Sequence, residues 1–320
     1  MENNSNISPS ISGNSFGKVA LLVSSSNENP SFLDILAVLQ NNNIDVSVID
    51  VLDEGLSLLD KSVWQDFSRV FIAITNRHKL SFGYIQGLLD ILRLEYTGSG
   101  MIASALAGDI IKSKKIWQMH GIATAPFIRW QAALNFEEII SLIGFPLAVK
   151  STYYNDHRIF KVLHMDQLQQ VFKKFENLNQ IIIEPWISGA EYIVYILDNK
   201  ALLPLEVNNI LISGSFGNHE KNPEYNKLLN VDDNLNNMQK LALDAFMSLG
   251  CSGFAEVSIT KDLNGDCWVG SINTAPLLSL NSNFTTAAYS AEISFNMLVE
   301  KILASSFIKK VYDNLAINAG

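Results

Sequence analysis

Phe254-Ala-Glu-Val-Ser-Ile-Thr260 and Cys267-Trp-Val-Gly-Ser-Ile-Asn-Thr-Ala-Pro276 are two runs of strand-forming residues on either side of Leu263-Asn-Gly-Asp266. An Asn-Gly step offers two residues that tolerate positive φ, which a tight turn between antiparallel strands requires. The stretch therefore reads as a β-hairpin. Its second strand delivers Asn273-Thr274-Ala275-Pro276, a cluster of polar groups at a strand end. Glu256 and Ser258 are two apart on the first strand, so they share one face of it.

Working outward, the chain alternates strand and helix. Lys18–Ser24 is an apolar run short enough for a buried parallel strand, and Pro30–Asn41 carries Phe32, Ile35, Leu36 and Leu39 on one helical face. Asp45–Asp50 and Arg69–Thr75 add two strands, giving a small doubly wound sheet whose ligand crevice would lie near Ser24–Glu28 and Thr75–Phe82. Helices are expected over Ser104–His120, Asn135–Ile143, Gln167–Phe175, Leu235–Leu249 and Ala287–Ala304. Strands are expected over Phe145–Ser151, Lys161–Leu163, Gln180–Ile187, Glu191–Leu197 and Ala201–Val207, followed by the hairpin. The expected organisation is a disordered Asn/Ser-rich tail over 1–17, an α/β domain over 18–107, a central domain over 108–187 and a larger sheet domain over 188–320.

The 320 residues are 48% hydrophobic, enough to bury a sizeable core. Net charge is −9, which argues against a surface that tracks nucleic-acid phosphates. No apolar run approaches the ~18 residues of a membrane span, and Met1-Glu-Asn-Asn-Ser5 has no signal-peptide character, so a cytoplasmic globular protein is expected. Cys251 and Cys267 read as free, buried thiols.

Several stretches, in order, resemble the D-alanine–D-alanine ligase family of ATP-grasp enzymes. They are Glu95–Leu106, Ser113-Lys114 with Trp117, Gly144–Lys150, Ile183–Glu191, Leu249–Gly253, and Asn273-Thr274 with Pro276. The resemblance runs from Lys18 to about Leu303. It implies an α/β and α+β chain: an ATP-grasp fold preceded by a small doubly wound parallel sheet. It also implies ATP and Mg2+ as cofactors, D-alanine as substrate, a role in making peptidoglycan precursors, and a homodimer. ATP would lie between the central and C-terminal sheets, where a substrate carboxylate is phosphorylated and an amine then attacks the acyl phosphate.

Carried over position by position, the resemblance makes Lys150 a phosphate-binding lysine. Glu184 would meet the adenine amino group, the backbone of Pro185, Trp186 and Ile187 the adenine edge, and Glu191 the ribose hydroxyls. Glu28 would hold the first substrate's ammonium and Ser282 the second substrate's carboxylate. Asn273 is a metal ligand in this alignment. Ser258 and Ser271, however, stand where the family has a metal-binding aspartate and a bridging glutamate, and Glu256 replaces an arginine that stabilises an oxyanion.

Hard divalent cations favour anionic oxygen ligands, which serine hydroxyls do not supply. A carboxylate at 256 would repel a developing oxyanion, although Glu256 is also a candidate displaced metal ligand. Ile110 replaces a second phosphate-binding lysine, with Lys112 on a different helix face. Ser151-Thr-Tyr-Tyr-Asn-Asp-His-Arg158 lacks the glycines of the family's phosphate lid, leaving His157 and Arg158 as side-chain substitutes. Thr75–Phe82 lacks the family's glycine-rich loop, Leu277 replaces a glycine, and Lys221, Tyr225 and Lys227 only approximate a family Lys-Tyr pair. The expectation is a member of the family that has lost ordinary ligation: a pseudoenzyme with at most weak ATP binding, acting through a protein partner or as a structural module. The alternatives are an active D-alanine–D-alanine ligase, or an ATP-grasp ligase with other substrates and a rebuilt metal site.

Overall fold

The structure is a computed structural model that describes residues 16–24, 31–74, 83–131, 135–152, 158–175, 180–208, 224–227 and 233–308. Glu28, the Thr75–Phe82 loop, His157 and Lys221 lie outside the described residues. Among the described residues the strands form three sheets, each built from a contiguous part of the chain.

The first contains β1 (Val19–Val23), α1 (Phe32–Asn41), β2 (Val46–Asp50), α2 (Val51–Glu54), β3 (Arg69–Ile72), α3 (Tyr84–Leu92) and β4 (Glu95–Tyr96). Its strand order is β2-β1-β3-β4, all parallel, as the alternation of elements implied. Successive residues of β1 serve opposite faces: Val19, Leu21 and Val23 pack with Ile35 and Leu39 of α1, while Ala20 and Leu22 pack with Ile85 and Leu89 of α3. Such two-sided burial explains the unbroken apolar run. Phe16 and Gly17, which the composition put in the tail expected over 1–17, are among the described residues. Phe16 is already buried, under the Arg69 guanidinium at 5.2 Å from the ring centroid. An aromatic ring with a core to enter and a cation above it overrides the polar character of the residues before it.

The central part comprises α4 (Met101–Ala107), α5 (Ile110–Met119), β5 (Ile128–Arg129), α6 (Phe136–Ile143), β6 (Leu147–Ser151), β7 (Ile159–Val162), α7 (Met165–Phe172) and β8 (Ile181–Pro185). The sheet is antiparallel, in the order β5-β8-β6-β7. Its core packs Ile139 of α6 and Leu168 and Phe172 of α7 against Leu147, Val149, Ile181 and Ile183. The helical stretch expected over Ser104–His120 is two helices. Gly108 and Asp109 break it, and the Asp109 side chain caps α5 by accepting from the Ile111 and Lys112 amides, each at 3.1 Å.

The C-terminal part holds β9 (Gly189–Leu197), β10 (Lys200–Ala201), β11 (Leu205–Asn208), β12 (Glu224–Lys227), α8 (Asp233–Ser248), β13 (Phe254–Asp262), β14 (Cys267–Asn273), α9 (Asn283–Ser290) and α10 (Phe295–Ala304). The sheet order is β12-β11-β9-β13-β14, antiparallel, with β10 pairing β9. The strand expected over Ala201–Val207 divides into β10 and β11 around Pro204, which has no N–H to give a ladder. The helix expected over Ala287–Ala304 also divides: Glu292 takes φ 60°, and Ser294 caps α10 through the Met297 amide.

The hairpin forms as expected, and the Asp262 carboxylate organises its turn. Oδ1 accepts from the Asn264 and Asp266 amides, each at 2.9 Å, and Oδ2 from the Trp268 indole at 3.1 Å. Gly98 joins the first sheet to the last, adopting φ 83° so that the Tyr96–Gly100 turn lies against Gly253. There the Ser99 hydroxyl both donates to the Ser252 carbonyl and accepts from its amide, each at 3.1 Å. Cys251 and Cys267 are free thiols, and burial pushes Cys251 up to about 12. Among the described residues no helix is long and apolar enough to cross a membrane.

Candidate functional site

The central and C-terminal sheets each present a polar cluster. On the central sheet, β6 and β8 are antiparallel neighbours with Lys150 across from Ile182 and Ala148 across from Glu184. The Lys150 ammonium reaches along the sheet to Glu184 Oε2 at 2.6 Å. Glu184 is buried, and its other oxygen, Oε1, lies 3.0 Å from Lys114 Nζ on α5. Lys114 is itself buried, and it donates to Thr124 Oγ1 at 2.8 Å. Burial pushes the Lys114 ammonium down from the usual lysine range, an effect opposed by Glu184. The cluster is thus one carboxylate between two ammonium groups, one enclosed and one half-exposed.

Glu184 Oε1 makes the ion-pair contact without a hydrogen bond of good geometry. A buried carboxylate oxygen in that state retains capacity to accept from an incoming N–H. Trp186 and Ile187 follow in a half-buried segment. The Trp186 amide is bound to the Pro146 carbonyl at 3.0 Å, and the Lys161 ammonium lies 4.8 Å from its ring centroid. Gly189 then begins β9 where any Cβ would sit 1.9 Å from the Lys261 carbonyl oxygen, so only glycine permits this approach of β9 to the hairpin. Glu191 is exposed on β9, across from Thr260. The residues quoted with Lys114 have structural work: Ser113 Oγ donates to the Leu106 carbonyl at 2.7 Å, and the Trp117 indole to the Ala245 carbonyl at 3.1 Å.

On the C-terminal sheet, Glu256 lies across from Asn273 and Ser258 across from Ser271. All four therefore stand on one face of the hairpin, the opposite face being packed on α8 through Val257 and Ile259. The two serine hydroxyls are 2.8 Å apart and hydrogen-bonded to each other. Asn273 Oδ1 accepts from the Ala275 amide at 2.9 Å, and Glu256 Oε2 from the Tyr195 hydroxyl at 3.0 Å. Burial pushes the Glu256 carboxyl up, and the Tyr195 hydrogen bond offsets part of that. Among the described residues no group of three or more His, Cys, Asp or Glu is placed to hold a metal ion. The donor set on this face is two paired hydroxyls, one occupied amide oxygen and one carboxylate, which does not fit a magnesium pair.

Ser282 is buried as the cap of α9. Its hydroxyl accepts from the Thr285 amide at 3.3 Å and donates to the Ser279 carbonyl at 3.0 Å. Ile110 is the first residue of α5, and Lys112 turns away to an exposed pair with Asp109 at 2.8 Å. A small cavity of about 20 Å³ lies at the carboxyl end of β3, lined by Ile72, Ala73, Thr97, Thr274 and Gln86, whose buried Oε1 has no hydrogen-bond partner.

Lys114 is the site residue that sequence reasoning missed. Its signal was present, because it shares a helical face with Trp117 three residues on, and a lysine on a buried face needs an anionic partner.

A small parallel-sheet domain followed by two antiparallel sheets is the architecture of the ATP-grasp class. The solved D-alanine–D-alanine ligase from Bacillus anthracis complexed with ATP superposes with a TM-score of 0.78, at 24% identity, covering 93% of this chain and 99% of that one. The VanG D-Ala:D-Ser ligase from Enterococcus faecalis shares the fold with a TM-score of 0.73, at 19% identity, over 91% of this chain and 99% of that one. Residues 116–304 match the family described as D-ala D-ala ligase C-terminus. The D-alanine–D-alanine ligase of Nitrosomonas eutropha is 33% identical over 277 residues, 85% of this chain and 89% of that protein. The one from a Psychrobacter species is 29% identical over 303 residues, 91% and 90% of the two chains. The chain belongs to the D-alanine–D-alanine ligase family.

Proposed function

We propose that this chain is a ligase-family protein that retains the nucleotide wall of the site and has lost ordinary D-alanine ligation, binding ATP weakly and without magnesium. The observation that carries this reading is the Ser258 Oγ–Ser271 Oγ hydrogen bond of 2.8 Å. Two carboxylates at those positions would repel each other and call for a cation between them. Two hydroxyls satisfy each other and leave nothing for a cation to neutralise. Glu256 on the same face adds a carboxylate beside any oxyanion formed there, which opposes acyl transfer.

The nucleotide wall fits better. The unsatisfied Glu184 Oε1 suits an adenine amino group, and the half-exposed Lys150 ammonium suits a phosphate oxygen. Bound ATP would supply a phosphoryl group for activating a carboxylate. The same wall favours a second reading, an active carboxylate–amine ligase for D-alanine or another substrate, with peptidoglycan precursor synthesis as its role. In that reading Glu256 would be a displaced metal ligand.

Titrating ATP into the purified protein with and without magnesium, followed by phosphate release in the presence of D-alanine, separates the readings. The lost-activity reading expects binding that magnesium does not strengthen and no D-alanine-stimulated phosphate release. Magnesium-dependent binding with such stimulation establishes the second reading in its place. Absence of binding at millimolar ATP ends the nucleotide reading altogether.

A further inference from the structure

Lys114 and Lys150 compete for one carboxylate, and their surroundings differ. The Lys150 side chain is 26% exposed and the Lys114 side chain 1%, so only Lys150 has a path to solvent and to an arriving anion. Lys114 is held by two partners. Its ammonium meets Glu184 Oε1 at 3.0 Å and donates to Thr124 Oγ1 at 2.8 Å, and that hydroxyl donates on to the Val269 carbonyl of β14 at 2.8 Å. Its helix is anchored by the buried Trp117. Stripping a buried carboxylate of its counter-charge is strongly destabilising. Lys150 therefore can leave Glu184 at low cost only because Lys114 stays.

We propose that Lys114 is a positioning residue of the nucleotide site, the fixed counter-charge that holds Glu184 while Lys150 changes partner from Glu184 to a nucleotide phosphate. The inference rests on the nucleotide reading of Lys150 and Glu184. Lys114 itself touches no nucleotide in this arrangement. It sets how much of the Lys150 charge is available to phosphate, and so it acts on the preference for ADP over adenosine more than on adenosine binding.

The test is calorimetric titration of adenosine and of ADP, in buffer containing a chelator, into the wild-type chain, K114M and the double variant K114M/E184Q. The wild type is expected to favour ADP by about tenfold or more, which is about 1.4 kcal/mol. In K114M Lys150 is the sole partner of Glu184, so the preference falls severalfold toward unity. In K114M/E184Q no carboxylate retains Lys150, and the preference returns to at least the wild-type value. A purely structural Lys114 weakens both ligands together and leaves the ratio unchanged, which would overturn the proposal. If K114M does not fold, K114Q, which keeps an N–H donor toward Thr124 Oγ1, replaces it with the same expected fall in the ratio, and an unchanged ratio there overturns the proposal. A collapsed ratio in K114M/E184Q means that Lys114 attracts phosphate directly, and the positioning role fails.

If the wild type binds neither ligand, the nucleotide reading fails while the charge arrangement is still testable. Mass-spectrometric acylation of Lys150 is then expected to slow in K114M, because Glu184 no longer shares its charge with a second cation. An unchanged rate would overturn the positioning role by itself.

Discussion

The polar clusters of the central and C-terminal sheets, the first a charged wall and the second a hairpin wall, are built in opposite ways. On the central sheet, Glu184 is buried between two ammonium groups at 2.6 and 3.0 Å, an arrangement with high electrostatic stakes and one oxygen still able to accept. On the hairpin, Ser258, Ser271, Asn273 and Glu256 each find a neutral partner, and nothing in the cluster requires an ion. Buried charges depend on one another, whereas a paired hydroxyl set is indifferent to a missing cation. One wall is therefore held in a state that invites a ligand, and the other is held closed on itself.

The comparison breaks most easily at its charged wall. Glu184→Ala leaves an enclosed ammonium at Lys114 with only the Thr124 hydroxyl for a partner, and should destabilise the fold by about 3–5 kcal/mol in denaturant titration. K114M/E184Q removes both charges and should recover most of that loss. If Glu184→Ala instead unfolded at the wild-type midpoint, the wall would not be a strained charge cluster and the contrast with the hairpin would vanish.

The next test acts on the same contrast from the other side. Ser282→Ala removes a cap from α9 and should cost about 1 kcal/mol, whether or not the hydroxyl also meets a substrate. Ser258→Asp with Ser271→Glu places two carboxylates directly across the hairpin and should cost about 1 kcal/mol in metal-free buffer. Millimolar magnesium should return the thermal midpoint of that variant to near the wild-type value and leave the wild type unmoved, because only the variant offers anionic ligands. A wild-type midpoint that itself rises with magnesium would show that the hairpin wall retains a cation site.

Much of this contrast was readable in the sequence, and the exceptions have physical causes. The hairpin, its Asn-Gly turn and the serine substitutions are local, so residue spacing alone put Glu256 and Ser258 on one face. The helix expected over Asn135–Ile143 likewise forms as α6, where the structure shows Asn135 and Glu138 in a capping box. Where the reading ran on too long, as over Ser104–His120 and Ala287–Ala304, side-chain caps at Asp109 and Ser294 ended one helix and began another inside an otherwise helical composition. The charged wall was half legible. Lys150 and Glu184 come from neighbouring strands that alternation predicts, but the Lys114 partner comes from a helix distant in sequence. Only tertiary packing shows that the helix turns that lysine inward. Phe16 was hidden by the same non-local cause, since its cover is Arg69 of β3.

The finest prediction concerns the one carboxylate on the neutral wall. Burial raises the Glu256 carboxyl above its value in the unfolded chain, with the Tyr195 hydroxyl pulling it partly back. Between the unfolded and folded values the folded state binds more protons, so stability falls as pH rises through that window. Above the unfolded value the upward shift stands as a net cost, which the glutamine counterpart avoids while keeping an acceptor for Tyr195. Glu256→Gln should therefore raise the thermal midpoint at pH 7 by about 1–2 °C. It should also flatten the decline in stability from acid toward neutral pH. The opposite outcome, a midpoint that drops at pH 7, would mean that the Glu256 charge is compensated by a cation. The hairpin wall would then be charged after all, like the cluster on the central sheet.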